Sequence, residues 1–164
     1  MVAALLSTSP AEAQLASSSV GISARVVSFL SPGLSGTVTA AIIFDPGNPG
    51  SVAEASQIEN ALSGGMAAGG AKLMPKKVPV SSLGGMAGAK VAFITQGLSS
   101  HYGAIAGASR GVLTITGDKS CTAAGKCVVS ITTAGKTDIS VSKAARSASG
   151  LSFNSMFAML AKEI

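Results

Sequence analysis

The chain of 164 residues has no tryptophan, one tyrosine, one histidine and two cysteines, and only 12% of it is charged. Modules that stack nucleic-acid bases interleave aromatics with clustered cations. Here the cations from Lys72 to Arg146 are scattered, so the net charge of +5 reads as solvated surface with some attraction for anions, and nucleic acid is not an expected partner. A lone histidine, His101, with two cysteines does not supply the four ligands of a structural zinc site, and no metal is expected. The pattern G-x-x-x-x-G-K-[ST] is absent. The Gly-rich stretch "SGGMAAGGAK" follows a helix where a dinucleotide fingerprint needs a strand, so it reads as a helix stop and turn and no cofactor is expected. No serine is expected at a strained turn of the G-x-S-x-G kind, and Asp45, Glu54, Glu59, Asp118, Asp138 and Glu163 do not pair as glycosidase carboxylates do. The expectation is a protein that is not an enzyme. A run of about 18 apolar residues free of Gly, Pro and charge is also missing, which argues against a membrane-spanning helix.

What the chain does have is 47% hydrophobic residues and 20 glycines, a composition that folds and is finely punctuated. Its length suits one domain. The opening "MVAALLSTSPAEAQ" resembles the tail of a secretory signal, with a small-x-small pattern ending at Ala13, although no basic residue precedes Arg25. Residues 1–13 are therefore expected to be a signal-peptide remnant, residues 14–164 a single exported domain, and the location periplasmic.

"VGISARVVSFL" places Val20, Ile22, Val26, Val27 and Leu30 on one helical face. "TVTAAIIF" is apolar on both faces, as a central parallel strand is. It runs into "DPGNPGS", where Ser51 is expected to cap a helix through the capping box Ser51-Val52-Ala53-Glu54, with Gly64 and Gly65 as its stop. "AKLMPKKVPV" suits an edge strand that tolerates Pro75 and Pro79. "SSLGGMAG" predicts a short helical turn, "AKVAFITQG" and "GVLTITG" predict buried strands, and "LSSHYGAIAGASR" a weak helix between them. "CVVSITTAGKTDISVS" predicts a hairpin. "SKAARSASG" predicts a short helix, and "SFNSMFAMLAKEI" a final helix with Phe153, Met156, Phe157 and Leu160 on one face. The fold class that follows is α/β: a three-layer sandwich with a mainly parallel sheet, an antiparallel C-terminal hairpin and helices on both faces.

In open α/β sheets ligands sit beyond the carboxyl ends of the strands. The polar residues there, Asp45, Asn48, Ser51, Gln96, His101, Tyr102 and Asp118, are the ligand-binding candidates. Asp, Asn and Ser also serve as turn and cap residues at such places. The five-residue gap between Cys121 and Cys127 does not fit a C-x-x-C redox motif. In an exported chain the simplest state of such a pair is a disulfide, and in a cytosolic one it is two reduced thiols.

The segment "GVLTITGDKSCTAAGKCVVSITTAGKTDISVSKAARSASGLSFNSMFAMLAKEI" resembles the end of the YfiR-like family of bacterial periplasmic regulatory proteins. Val112 to Thr116 match that family's buried strand, Gly125 its loop glycine, Ile139 to Ser142 the second hairpin strand, Ala144-Ala145-Arg146 the Ala-rich helix and Leu151 to Leu160 the final helix. The resemblance implies a fold similar to one lobe of a periplasmic binding protein and a disulfide between Cys121 and Cys127. It further implies a non-enzymatic, homodimeric sensor or regulator that modulates a membrane signalling partner, as YfiR-like proteins repress a diguanylate cyclase in cyclic-di-GMP signalling; a sensor kinase is the other kind of partner. The alternative is a single-lobe solute-binding protein. The family's aromatic-rich first helix is replaced here by "VGISARVVSFLSPG".

Overall fold

A computed structural model of the chain describes residues 17–133 and 135–164. The expected signal remnant and its cleavage point at Ala13 lie outside the described residues.

Eight strands form one sheet: β1 Ser35–Phe44, β2 Met66–Ala68, β3 Gly70–Pro79, β4 Val91–Ile94, β5 Leu113–Thr116, β6 Val129–Thr132, β7 Asp138–Val141 and β8 Lys162–Glu163. Their order is β2-β3-β1-β4-β5-β6-β7-β8. Strands β3 to β6 in that order are parallel, β2 is antiparallel to β3, and β6 and β7 form the antiparallel hairpin. The helices are α1 Ser17–Ser28, α2 Pro49–Leu62, α3 Tyr102–Ala108, α4 Lys119–Ala123 and α5 Lys143–Ser149.

Alternation along β1 explains the layers. Ala40 and Ile42 point to one face and join Val20 and Val27 of α1, Ile58 and Leu62 of α2 and Phe93 of β4. Ala41 and Ile43 point to the other and meet Met86, Leu98 and Ile105, on the side of α3 and the 3-10 turn Val80–Met86. Strands covered on both faces read as continuous apolar runs, which is why β1, β4 and β5 were legible. The chain is thus the three-layer α/β sandwich that its pattern predicts. No described helix is long and apolar enough to cross a membrane.

Four local expectations are corrected, and one unforeseen element, α4, is added. Asn48, not Ser51, is the N-cap of α2: its side chain accepts from the amides of Gly50 and Ser51, and Pro49 takes the first helical position. Strand β3 is not a simple edge, because β2 pairs with its first half at Ala71 to Leu73. Pro75 and Pro79 fall beyond that pairing, where an amide hydrogen is dispensable. The stretch Met66–Ala68 inside the Gly-rich run is itself strand β2 rather than turn. The loop between the cysteines begins as helix α4, capped by Asp118.

The last correction is the largest. Residues 151–164 form no α-helix; they contain a 3-10 turn at Phe157–Met159 and the short strand β8 beside β7. Phe157 is 3% exposed, and Phe153 stacks on it with ring centroids 4.2 Å apart, while Phe29 lies 5.7 Å from it. Met156, Met159 and Leu160, expected or adjacent to the buried face, are 63%, 86% and 51% exposed. A single aromatic anchor and backbone pairing to the sheet hold this segment in place of a helical stripe.

Cys121 and Cys127 are joined in a disulfide with their Cα atoms 5.3 Å apart. Disulfides persist in oxidising compartments, so the bond is compatible with an exported protein.

Two outcomes follow for stability. Phe157→Ala lowers the unfolding free energy by about 3 kcal/mol, and Met159→Ala changes it by less than about 0.5 kcal/mol, measured by urea denaturation. Reducing the disulfide costs roughly 2 kcal/mol in the chain-entropy description of a short loop, and the oxidised protein shows no titratable thiol after denaturation.

Candidate functional site

The chain leaves β1 toward one face, through α2, and leaves β4 toward the other, through α3. The two strands are neighbours, so the point between them is the topological switch point, where open α/β sheets form their ligand crevice. Every candidate of the sequence lies on the loops or first helical turns after β1, β4 and β5. The structure brings most of them together, in two interlocked groups.

The first group ties the β1 loop to the β4 loop. The Ser51 hydroxyl accepts from the Asp45 amide at 2.9 Å and shares a 2.6 Å hydrogen bond with the Thr95 hydroxyl. Thr95 in turn donates to the Ile43 carbonyl at 2.8 Å. The fully buried Glu54 accepts from the Gln96 amide at 2.6 Å. The side chains of Asn48 and Gln96 pack against glycines of these two loops. Gly97 has φ +79, and a Cβ there would collide with the Asn48 amide; one on Gly50 would collide with the Gln96 amide. These glycines exist because the loops touch at van der Waals distance. Asp45 is turned inward to its own loop, accepting from the Gly47 amide.

The second group spans α3 and the β5 loop. The Tyr102 hydroxyl donates to Asp118 Oδ2 at 2.5 Å. Asp118 Oδ1 accepts from the Ser120 amide at 3.0 Å and its hydroxyl at 2.7 Å, as the N-cap of α4. Partial burial works to raise the Asp118 pKa, and the hydrogen bonds from Tyr102 and Ser120 outweigh it, leaving the carboxyl below its ordinary 3.8. Burial first, then the bond to Asp118 and the charges of Asp118 and Glu54, push the Tyr102 phenol well above its ordinary 10.0. Tyr102 therefore acts as a neutral donor. His101 stands apart from both groups, half-buried at the junction of a 3-10 turn and α3.

Glu54 and Thr95 are members that the sequence did not mark as site residues. Glu54 stood out only as the acid of a capping box, and Thr95 only as the residue after an apolar run. The sequence also holds one G-x-S-x-G stretch, Gly107 to Gly111, contrary to the expectation of none. Its Ser109 is no nucleophile elbow: it follows a helix and precedes a strand, is 2% exposed, and donates its hydroxyl to the Ile105 carbonyl at 2.5 Å. Among the described residues no group of three or more His, Cys, Asp or Glu could hold a metal ion.

No family model matches the sequence, and no curated protein matches it significantly. Solved structures do match. One is the crystal structure of a conserved domain protein from Vibrio cholerae O1 biovar El Tor strain N16961, with a TM-score of 0.64 and 12% identity over 92% of this chain. This chain spans 60% of that chain's length. At that identity the likeness shows the fold.

The arrangement makes a pH signature. A carboxyl whose folded pKa lies below 3.8 contributes stability above that pH, and the contribution is lost as pH falls through the folded value. A phenol raised above 10.0 contributes stability below that pH, lost as pH rises beyond it. Tyr102→Phe is therefore expected to cost about 1.5 kcal/mol at pH 7. Its gap to the unsubstituted protein narrows both below 3.8 and above 10.0, followed by denaturation midpoints across pH.

Proposed function

We propose that this chain is a YfiR-like periplasmic regulator, a non-enzymatic protein that binds a membrane signalling partner and modulates it. The resemblance of the C-terminal third supports this through the segments of strand β5, the β6–β7 hairpin and the Ala-rich helix α5; the final helix of the family's pattern has no counterpart, since Leu151 to Leu160 hold a 3-10 turn instead. The disulfide in the matching loop is compatible with the compartment. The partner class carried over from the family is a diguanylate cyclase or a sensor kinase, and the working form is a homodimer.

The observation that carries the proposal is the apolar surface at the C-terminal edge. Met156, Met159, Leu160 and Ile164 are 63%, 86%, 51% and 40% exposed, all within the final nine residues. Three of these side chains stand on or beside the 3-10 turn Phe157–Met159; exposed apolar groups suit contact with a protein or membrane, and methionines adapt to such contacts. The alternative, a solute-binding protein, would have its site at the switch point, where the β1 and β4 loops are tied by the Ser51–Thr95 and Glu54–Gln96 hydrogen bonds.

The test is co-purification from detergent-solubilised membranes with the oxidised, full chain as bait. The unsubstituted protein is expected to recover an integral membrane signalling protein. Met156→Glu with Met159→Glu is expected to lose it, at least tenfold, without lowering the melting temperature, because both side chains are already in water. Equal recovery by the double variant would place the contact elsewhere.

A further inference from the structure

At the opposite end of the sheet from the switch point, a cleft of about 460 Å³ opens at the amino ends of β4 and β5. Its volume falls within the roughly 300–1,000 Å³ usual for small-molecule sites. One wall is the 3-10 turn Val80–Met86 with the turn that follows it, and the other is the end of α3 with the turn into β5. Leu83, Ala87 and Ala108 give the cleft its accessible apolar contacts, within a lining that is polar as much as apolar, while Met86 and Val112 are buried. Two cations flank it, Lys90 before β4 and Arg110 before β5, and the two strand starts are joined by a hydrogen bond from the Leu113 amide to the Lys90 carbonyl at 2.9 Å.

Among the described residues neither cation has an acidic partner. The ion pairs among the described residues are Lys77 with Glu59, Lys119 with Asp138 and Arg146 with Glu163. Asp45, Glu54 and Asp118 are held at the carboxyl ends of the strands, at the other end of the sheet. Two exposed cations that line a small cleft and are unpaired among the described residues have the chemistry to hold a carboxylate by charge-assisted hydrogen bonds while its hydrocarbon part lies on Leu83, Ala87 and Ala108.

We propose that this cleft binds a small organic carboxylate with a short apolar body, held by Lys90 and Arg110. The site is separate from the C-terminal apolar edge and does not rest on the regulator function.

One residue allows a steric test. Gly84 lines the cleft, its φ lies outside the left-handed region, and a Cβ there meets nothing within 4 Å, so a larger side chain can be placed at the cleft's rim without straining the backbone. Gly88 and Gly111 have φ of +83 and +74 and are unsuited to the same test.

The experiment titrates the oxidised full chain with hexanoate and benzoate, with hexanol and inorganic phosphate as controls, following melting temperature and backbone amide shifts. The carboxylates are expected to raise the melting temperature by mass action and to shift amides of residues 83–90 and 108–112. Hexanol lacks the charge and phosphate the apolar body, so each is expected to bind at least tenfold more weakly. Lys90→Gln with Arg110→Gln is expected to weaken carboxylate binding by roughly tenfold or more, the loss of a charge-assisted hydrogen bond, and Gly84→Leu to abolish it. The charge variants are surface substitutions, so they stay informative if Gly84→Leu does not fold. No response to either carboxylate, unchanged binding in the charge variants, equal binding of hexanol or phosphate, or amide shifts confined to residues 45–51 and 95–102 would each overturn the proposal.

Discussion

Strand β1 has no free side. It is paired to β3 and β4 and covered by helices on both faces, and its carboxyl half from Ala40 to Ile43 is sealed from water. A strand so enclosed has to end in loops that satisfy every polar group from within, because a buried donor or acceptor left unpaired costs on the order of 1–3 kcal/mol. Ser51, Thr95 and Glu54 meet that demand. The first two link the Asp45 amide to the Ile43 carbonyl through their hydroxyls, and the third takes the Gln96 amide. Ser51, a ligand-contact candidate from the sequence, thus also serves the closure of the central strand, together with Thr95 and Glu54, which the sequence did not mark.

The same constraint decides where the molecule has surface to offer. At the switch point Asn48 packs against Gly97 and Gln96 against Gly50, and Tyr102 holds Asp118 in a bond that serves α4 as well. Exposed chemistry is displaced to the margins. One margin is the C-terminal edge, with its methionines and Ile164, and another is the cation-flanked cleft at the amino ends of β4 and β5. Neither is announced by a motif, because apolar exposure and unpaired charge are properties of the assembled surface and not of residue spacing.

Legibility followed burial. Strands buried on both faces are continuous apolar runs, and "TVTAAIIF", "KVAFI" and "VLTIT" stand out in the sequence for that reason. The amphipathic α1 was equally plain: of the five residues its spacing groups, Val20, Val26 and Val27 are buried in the helix, Leu30 is buried just beyond it, and Ile22 is partly buried. The final segment misled because Phe153, Met156, Phe157 and Leu160 fit a helical period, whereas only Phe157 is buried and the backbone pairs with β7. Periodicity reports which side chains could share a face; it does not report whether a sheet edge offers the backbone a competing partner. At α2 two capping signals overlapped, and Asn48 with Pro49 outcompeted Ser51 with Glu54 because the latter pair was needed by the β4 loop. The candidate site was legible as a location, and its internal wiring was not, since the bonds from Ser51 to Thr95 and from Glu54 to Gln96 cross more than 40 residues.

The C-terminal motif also has a physical account. The disulfide fixes α4 against the entry to β6, and the amides of Lys126 and Cys127 both return to the Cys121 carbonyl. The turn they form is completed by Gly125 at φ +72, whose added Cβ would stand 3.4 Å from that of Ala144. A larger residue at 144 would press on that turn, and Ala145 beside it is buried in the core next to Val141. Ser142 caps α5 through the Ala145 amide while its own amide bonds the Val128 carbonyl. The glycine, the two alanines and the serine are thus one packing unit that locks the hairpin, α4 and α5 together. Such a unit specifies a scaffold, and what the scaffold recognises is set by the side chains that the unit leaves outside it.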